Sequence, residues 1–380
     1  MKNEHHKHES LFHVSRRDNT AGWKALLIRI GGVFTALVIC GIISVILIKQ
    51  NPFKIYATLV SGAFIDIWTL VKDTAVLLIF GLAIIPAFKM KFWNMGANGQ
   101  VLMGCLVAIA CMKFLTNVIP DGLIILLMIV TSILAGIIWA VIPAVFKAFF
   151  GTNETLFTLM MNYIAIGIVA YFSFKWDPRG SGNLGIVNLL TRQAWFPDLG
   201  NKYVLVIAVA VILDVFMFVY MKYTKHGFEA SLVGESVNTA KYVGINVKKV
   251  IIRTLILSGA ICGIMGAIYA GSLEHTVNAS IGGKGFTAIL VAWLANFDPL
   301  IMVLTAFFVV FLNTGVINVS TVFQLKSTDY ANIVIGIIFF CIIGCEFFIR
   351  YKIMPSQRMH NHIDKIKSKL KKKIPEKEDV

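Results

Sequence analysis

The sequence predicts an all-α polytopic membrane protein with about ten transmembrane helices. Of its 380 residues, 57% are hydrophobic and 14% are charged, and the mean hydropathy is +0.78. This is more apolar surface than a water-soluble core can bury. Stretches of about 18 or more nearly uncharged residues recur along the chain, and that length crosses a hydrocarbon layer roughly 30 Å thick. The chain is therefore expected to fold in lipid.

The predicted spans follow one another along the chain. They lie at about 25–48, 72–88, 99–116, 122–142, 155–174, 203–221, 251–272, 285–297, 300–318 and 331–349. The span near 285 is short. The weakly apolar stretch at 51–70 fits a helix on the outer surface of the membrane.

Positive residues orient the predicted bundle. If both termini lie inside, the inner segments hold 24 of the 35 Lys and Arg residues and the outer segments hold ten. This asymmetry follows the positive-inside rule, so both termini and the loop at 222–252 are expected in the cytosol. The net charge of +15 then belongs to inner loops and a basic tail, which fits contact with lipid better than nucleic-acid binding.

The same topology divides the chain into three parts. A polar cytosolic tail covers 1–24, a transmembrane domain covers 25–350, and a basic cytosolic tail covers 351–380. The chain starts with MKNEHHKHES and stays polar to about residue 22, which predicts a disordered tail and no cleavable signal peptide. All six cysteines fall in apolar stretches, so neither a disulfide framework nor a metal site is expected from them.

Small residues recur at every fourth position in two spans, a spacing that lets helix backbones approach closely in a membrane. The two stripes are Gly259, Gly263, Ala267 and Gly271, and Ser132, Gly136, Ala140 and Ala144. Packing between these helices is the preferred interpretation, ahead of a substrate path.

Glycines also interrupt apolar runs at matching places in the two halves. Gly96 and Gly99 follow the second span, and Gly282, Gly283 and Gly285 follow the seventh. Broken helices expose backbone groups that a membrane cannot satisfy, so paired breaks point to a transport path. Because the second span runs inward and the seventh outward, spans two to five and seven to ten are predicted to be inverted copies.

Catalytic motifs do not occur in the sequence. A G-x-x-x-x-G-K-[ST] phosphate loop is absent, since Lys284 in GGKGF is followed by Gly285. H-E-x-x-H and G-x-S-x-G are absent as well. We therefore expect a chain that is not an enzyme and has no ATPase site of its own.

The 222–252 loop carries the signals of a short helix. Ser236 can cap a helix from about 237 to 243, Gly244 can end it in a left-handed conformation, and Asn246 can cap the next helix. A short exposed helix joined rigidly to a span can act as a lever. A plain connecting loop is the alternative.

Three sequence blocks occur in a recognisable order: NMGANGQVLMG, TNETLFTLMMNYIA and GESVNTAKYVGINVKKVIIRTLILSGAICGIMGA. They resemble motifs of bacterial ABC importer permeases of the branched-chain amino acid, ribose and nucleoside group, nearest to its guanosine/purine nucleoside and simple-sugar branch. The resemblance covers roughly 70–350 and implies an inverted-repeat ABC importer permease fold in the bacterial cell membrane. Asn98 stands where this group usually has Glu, which removes a charge from the motif.

The resemblance also implies partners. A helix at about 234–245 would seat in a groove of a separate cytosolic ABC ATPase, which binds ATP and Mg, while this chain binds no cofactor. A second homologous permease and an extracytoplasmic substrate-binding lipoprotein would complete the importer. The residues implied in coupling to the ATPase are Gly234, Glu235, Asn238, Ala240, Lys241, Tyr242, Gly244 and Ile245.

Polar residues within the bundle are candidates for a substrate path. The predicted set is Asn94, Asn98, Gln100, Asn153 and Asn162, with Gly283 and Phe286 at the second interruption. Amides suit nucleobase edges and ribose hydroxyls because they both donate and accept hydrogen bonds. Contact with a neighbouring helix and contact with substrate stay equally open for each. Glu154, at a helix start, is expected to favour the helix dipole instead of binding substrate.

The leading hypothesis is a permease subunit that translocates a neutral purine nucleoside, such as guanosine, by alternating access. A simple-sugar permease is the nearest alternative. An ion-coupled secondary transporter is an alternative from another class; it would need a buried carboxylate such as Asp214 or Glu154, and no ATPase. A membrane-embedded enzyme ranks last.

Overall fold

The computed structural model describes residues 12–16, 22–178, 180–198, 200–325 and 329–355. In these ranges the helices are α1 (Gly22–Ile48), α2 (Pro52–Ala63), α3 (Ile67–Lys89), α4 (Ala97–Leu115), α5 (Asp121–Phe150), α6 (Glu154–Trp176), α7 (Val204–Tyr223), α8 (Lys225–Glu235), α9 (Val237–Tyr242), α10 (Val247–Ile268), α11 (Lys284–Leu294), α12 (Pro299–Val322) and α13 (Asp329–Arg350). A π-helical turn, Tyr269–Leu273, extends α10. The strands are β1 (Phe12–Arg16) and β2 (Tyr351–Pro355).

The all-α polytopic fold class is confirmed. Among the described residues, eight helices are long and apolar enough to cross a membrane, when α10 is counted with its π-helical turn. α11 and the Ile333–Ile349 part of α13 are apolar but shorter. These ten helices coincide with the ten predicted spans, and α2 occupies the weakly apolar stretch before α3.

Two predicted boundaries differ from the structure. α5 continues to Phe150 instead of ending near 142, because the helix accommodates Pro143 and ends at Gly151, whose φ is +67°. The loop after α7 was predicted to hold one short helix. It holds two, since α8 precedes α9. Thr224 caps the start of α8, because its hydroxyl accepts a hydrogen bond from the Gly227 amide at 3.2 Å.

The chain divides into two compact units, residues 1–55 with 327–380 and residues 56–326. In the first unit α1 packs against α13. The Cys40 thiol donates to the Val334 carbonyl oxygen at 3.7 Å, and the hydroxyls of Ser44 and Tyr330 lie 2.7 Å apart. The predicted tails 1–24 and 351–380 lie largely outside the described residues.

Within the first unit, β1 and β2 form an antiparallel two-stranded ribbon. The expectation of a disordered amino-terminal tail is therefore wrong for residues 12–16. The ribbon pairs Arg16 with Tyr351, so the start of α1 and the end of α13 lie at one end of the helix pair. That proximity lets the two flanking segments exchange backbone hydrogen bonds.

Close packing of small residues organises the second unit. α10 packs against α3, α4 and α5. A Cβ added at Gly136 would collide with the Gly259 carbonyl oxygen, and one added at Gly263 would collide with the Ser132 carbonyl oxygen. The predicted packing role of the two small-residue stripes is thus confirmed, since only small side chains permit this approach.

The helix contacts within the second unit repeat between its two halves, as expected for inverted copies. α10 contacts α4 and α5, the second and third helices of the first half, and α3 contacts α11 and α12, their counterparts in the second half. α3 and α10, the first helices of the two halves, contact each other. This reciprocal packing fits a pseudo-twofold relation between the two halves.

Candidate functional site: two helix breaks and the α8–α9 segment

The first break, residues 90–96, separates α3 from α4. Non-helical backbone in a membrane needs partners for its polar groups. α6 supplies several of them. The Met95 amide donates to the Thr158 hydroxyl at 3.1 Å, the Gly99 amide donates to Asn162 Oδ1 at 2.8 Å, and Asn162 Nδ2 donates to the Met95 carbonyl oxygen at 2.7 Å. Asn162 therefore ties the end of the break to the first turn of α4.

Asn94, which lies in the first break, also binds polar groups around it. Its Oδ1 accepts from the Gly96 amide at 3.0 Å and from Gln100 Nε2 at 3.3 Å. Its Nδ2 donates to the Ser258 hydroxyl of α10 at 3.1 Å. Asn94 and Gln100 are 0% and 1% exposed, so in this conformation both serve the packed bundle.

The second break, residues 274–283, separates the π-helical turn from α11. Gly283 precedes α11 with a φ of +67°, a conformation that L side chains rarely adopt. Asn98 joins the two breaks, because its Oδ1 accepts from the Gly285 amide at 2.9 Å. The first turns of α4 and α11 therefore meet, and the positive ends of both helix dipoles converge there.

The predicted substrate-path residues divide into two groups. Asn94, Asn98, Gln100 and Asn162 surround the first break, and Gly283 and Phe286 flank the start of α11, with the Phe286 side chain 43% exposed. Asn153 lies elsewhere, at the start of α6, and caps it by accepting from the Leu156 amide at 3.2 Å. A substrate role for these residues stays a prediction.

Glu154 lies in the first turn of α6, with an oxygen 2.6 Å from Lys147 Nζ of α5. A carboxylate in the first turn of a helix interacts favourably with the helix dipole, as expected.

The predicted caps of the α8–α9 segment, defined as residues 225–246, are confirmed. The Ser236 hydroxyl accepts from the Thr239 amide at 3.2 Å, and Gly244 has a φ of +86°. Asn246 Oδ1 accepts from the Lys249 amide at 3.1 Å and starts α10.

The α8–α9 segment is attached to the bundle at three points. Arg253 of α10 donates to Glu229 of α8 at 2.9 Å. Gly234 lies against the last residue of α3, because an added Cβ would collide with the Lys89 carbonyl oxygen. Ala240 belongs to the same buried cluster as Phe92. The segment therefore touches the first break directly.

The other side of the segment is open. Tyr242 and Val243 are 94% and 64% exposed, and the predicted coupling residues Glu235, Asn238, Lys241 and Gly244 are also exposed. Gly234 and Ala240 are buried and Ile245 is half-buried. The predicted set thus contains an inner face that packs on the bundle and an outer face available to another protein.

The sequence model of one protein family, described as "Branched-chain amino acid transport system / permease component", matches residues 67–343. The chain belongs to this family. It is therefore a permease component of an ABC-type transport system and a multi-pass membrane protein, and the existence of other components, an ATPase and a substrate-binding protein in general, is implied.

The names of similar proteins refer to more than one kind of solute. The chain is 28% identical to a guanosine ABC transporter permease of Bacillus subtilis, over 74% of this chain and 83% of that protein. It is 29% identical to a glucose ABC transporter permease of Haloferax volcanii, over 73% and 76%, and 28% identical to a nucleoside ABC transporter permease of Lactococcus lactis, over 63% and 69%. No solved structure matches the chain.

No disulfide joins the six cysteines, all of which lie among the described residues. Among the described residues, no group of three or more His, Cys, Asp or Glu side chains could hold a metal ion.

Proposed function

We propose that this chain is the permease subunit of an ABC importer that translocates a purine nucleoside such as guanosine. The observation that carries the proposal is the α8–α9 segment. Its inner face lies against Lys89 and Met90, where α3 passes into the first break, and its outer face presents Tyr242. The guanosine and nucleoside permeases among the relatives support the substrate class.

The proposed orientation places both termini and the α8–α9 segment in the cytosol of a bacterial cell. The excess of Lys and Arg in the corresponding loops supports it. The outer face of the segment would then meet a cytosolic ATPase, which holds the ATP and Mg. A second homologous permease and an extracytoplasmic lipoprotein would complete the importer.

The mechanism follows from the contacts of the α8–α9 segment. A movement imposed on Tyr242 and its neighbours reaches Lys89 through Gly234, and Lys89 leads into the first break. The hydrogen bond from Gly285 to Asn98 carries the movement on to α11. The ATPase drives the bundle between two states because it binds them with different affinity.

The test replaces the most exposed side chain of the outer face. Tyr242→Ala should lower nucleoside uptake at least about tenfold in the complete importer, since aromatic anchors dominate interface energies, while membrane insertion stays normal. Tyr223→Ala is the matched control, because Tyr223 is 69% exposed at the end of α7 and lies outside the segment. Normal uptake by Tyr242→Ala would refute the coupling role.

A simple-sugar permease is the second candidate, which the glucose permease of Haloferax volcanii favours. Competition by unlabelled glucose and unlabelled guanosine in the same uptake assay separates the two substrates. We expect guanosine to compete and glucose not to.

An ion-coupled secondary transporter is the candidate from another class. Asp214 favours it, because this residue of α7 is 6% exposed and its Oδ1 has no hydrogen-bond partner. Uptake by the purified chain alone under an ion gradient, abolished by Asp214→Asn, would support this candidate against the importer.

A further inference from the structure

A cleft of about 740 Å³ lies between α8 and the first turns of α10. Phe228 of α8 and Val243, which follows α9, form apolar walls, and their side chains are 62% and 64% exposed. Ile256, 37% exposed, closes the far end on α10. The cleft therefore presents an apolar surface that the second unit leaves open.

Positive charge dominates the polar part of the cleft. Glu229 is its one carboxylate, and the guanidinium of Arg253 binds it at 2.9 Å. Lys225 and Lys249 also line the cleft, so the lining has a net charge of about +2 even with His226 neutral. The cleft is thus suited to an anion.

The polar and apolar parts are ordered along α10. The lining runs from Asn246 and Lys249 to Ile252 and Ile256, about 15 Å along a helix with a 1.5 Å rise per residue. α10 is also one of the eight helices that can cross a membrane. The cationic part of the cleft therefore lies at the end of a span, and the apolar part follows the span inward.

We propose that this cleft binds an anionic phospholipid. The headgroup phosphate lies between Lys225 and Lys249, and an acyl chain lies along Phe228 and Ile256. A soluble anion would use only the lysines, and a soluble protein would not reach Ile256 within the bilayer. Basic pockets beside spans at a membrane surface are suited to such headgroups.

The proposal goes beyond the importer function and does not depend on the substrate. Val243 and Gly244 line the same cleft, so the lipid touches the end of the α8–α9 segment. Anionic lipid would thereby stabilise the position of this segment.

Native mass spectrometry of the full chain in detergent tests the proposal, with phosphatidylglycerol and phosphatidylcholine of identical acyl chains as probes. The wild-type chain should retain one phosphatidylglycerol at least about tenfold more tightly than phosphatidylcholine. Each lysine contributes roughly fivefold, so Lys225→Gln/Lys249→Gln should bind the two lipids almost equally. Lys248→Gln is the matched control, because Lys248 lies over the Phe149 ring and does not line the cleft.

Two further measurements distinguish a phospholipid from other ligands of the cleft. Inorganic phosphate should not displace phosphatidylglycerol, and Ile256→Ser should weaken binding of both lipids. Equal retention of the two lipids by the wild-type chain, or an unchanged preference in the double lysine variant, would overturn the proposal. So would a double variant that loses only co-purification with the ATPase, because the cleft would then be a protein interface.

Discussion

The two breaks occupy corresponding places in the inverted halves, yet the hydrogen bonding of the polar groups around them differs. At the first break, Asn94, Asn162 and Thr158 bind the backbone directly, and Gln100 Oε1 is an atom left without a partner. Beside the second break, the hydroxyls of Tyr269 and Thr276 are both buried and unpaired. Neighbours bind the backbone of both breaks, since the Ser173 hydroxyl donates to the Val277 carbonyl oxygen at 3.3 Å. The breaks differ in that two hydroxyls beside the second break have no partner in the described part of the chain.

The two breaks also differ in the free volume beside them. The second break lines a cavity of about 260 Å³ together with Tyr269, and Glu274 and Asn278 at its edge are exposed. We infer that the first break transmits movement as a rigid joint and that the second adapts its shape. A π-helical turn at Tyr269 fits this view, because such turns are frequent at functional sites.

The largest expected effect comes from removing the side chain that holds the first break. Asn162→Leu leaves the Gly99 amide and the Met95 carbonyl oxygen without their partners. Each orphaned buried group costs about 1–3 kcal/mol, so the free energy of unfolding in detergent should fall by about 2–6 kcal/mol. The matched change at the second break, Asn278→Leu, should cost under about 0.5 kcal/mol because Asn278 is exposed.

Next in size is the contact between the α8–α9 segment and the first break. Gly234→Ala forces a Cβ onto the Lys89 carbonyl oxygen, and overpacking of this kind costs about 1–3 kcal/mol. We expect a lower melting temperature and loss of ATP-dependent uptake. Gly167→Ala in α6 has open space around the new methyl group and should change neither, so equal behaviour of the two variants would contradict the contact.

A smaller effect on stability is expected beside the second break. Tyr269→Phe removes a hydroxyl that has no partner, so the free energy of unfolding should change by less than about 0.5 kcal/mol or rise slightly. Tyr330→Phe is the contrasting variant, because its hydroxyl lies 2.7 Å from that of Ser44. It should lose about 1 kcal/mol. Equal losses would show that the Tyr269 hydroxyl is paired.

The smallest effect concerns pH and the Glu229–Arg253 pair. Burial by itself raises the pKa of Glu229, but the hydrogen bond and charge of Arg253, with Lys225 and His226 nearby, lower this pKa overall. A carboxyl group whose pKa is lower in the folded state stabilises the folded chain at neutral pH. This stabilisation is lost as the pH falls through the pKa of the folded state. Thermal unfolding between pH 6 and about pH 3.5 should show this loss in the wild-type chain and a smaller one in Glu229→Gln.

Local features were predictable from the sequence and distant pairings were not. The caps at Ser236, Gly244 and Asn246 depend on residues within a few positions, so the sequence predicted them correctly. The bond between Asn98 and Gly285 joins residues 187 positions apart, and no local pattern indicates it. The β1–β2 ribbon escaped prediction for the same reason, since it pairs segments at opposite ends of the chain.

The candidate site was predicted in part. Gly-interrupted runs located both breaks, but hydropathy could not decide whether Asn94 and Asn162 serve the backbone or a solute. The unpaired hydroxyls of Tyr269 and Thr276 were missed, because an apolar run conceals a tyrosine and threonine is common in such segments. α8 was missed although Thr224 offered a cap, since the run that follows lacks a regular apolar period.

Uptake of labelled guanosine into proteoliposomes distinguishes an ATP-driven importer from an ion-coupled transporter. We expect uptake only when this chain is reconstituted with its ATPase, second permease and binding lipoprotein and supplied with ATP and Mg. Uptake by the chain alone, driven by an ion gradient without nucleotide, would contradict the importer function.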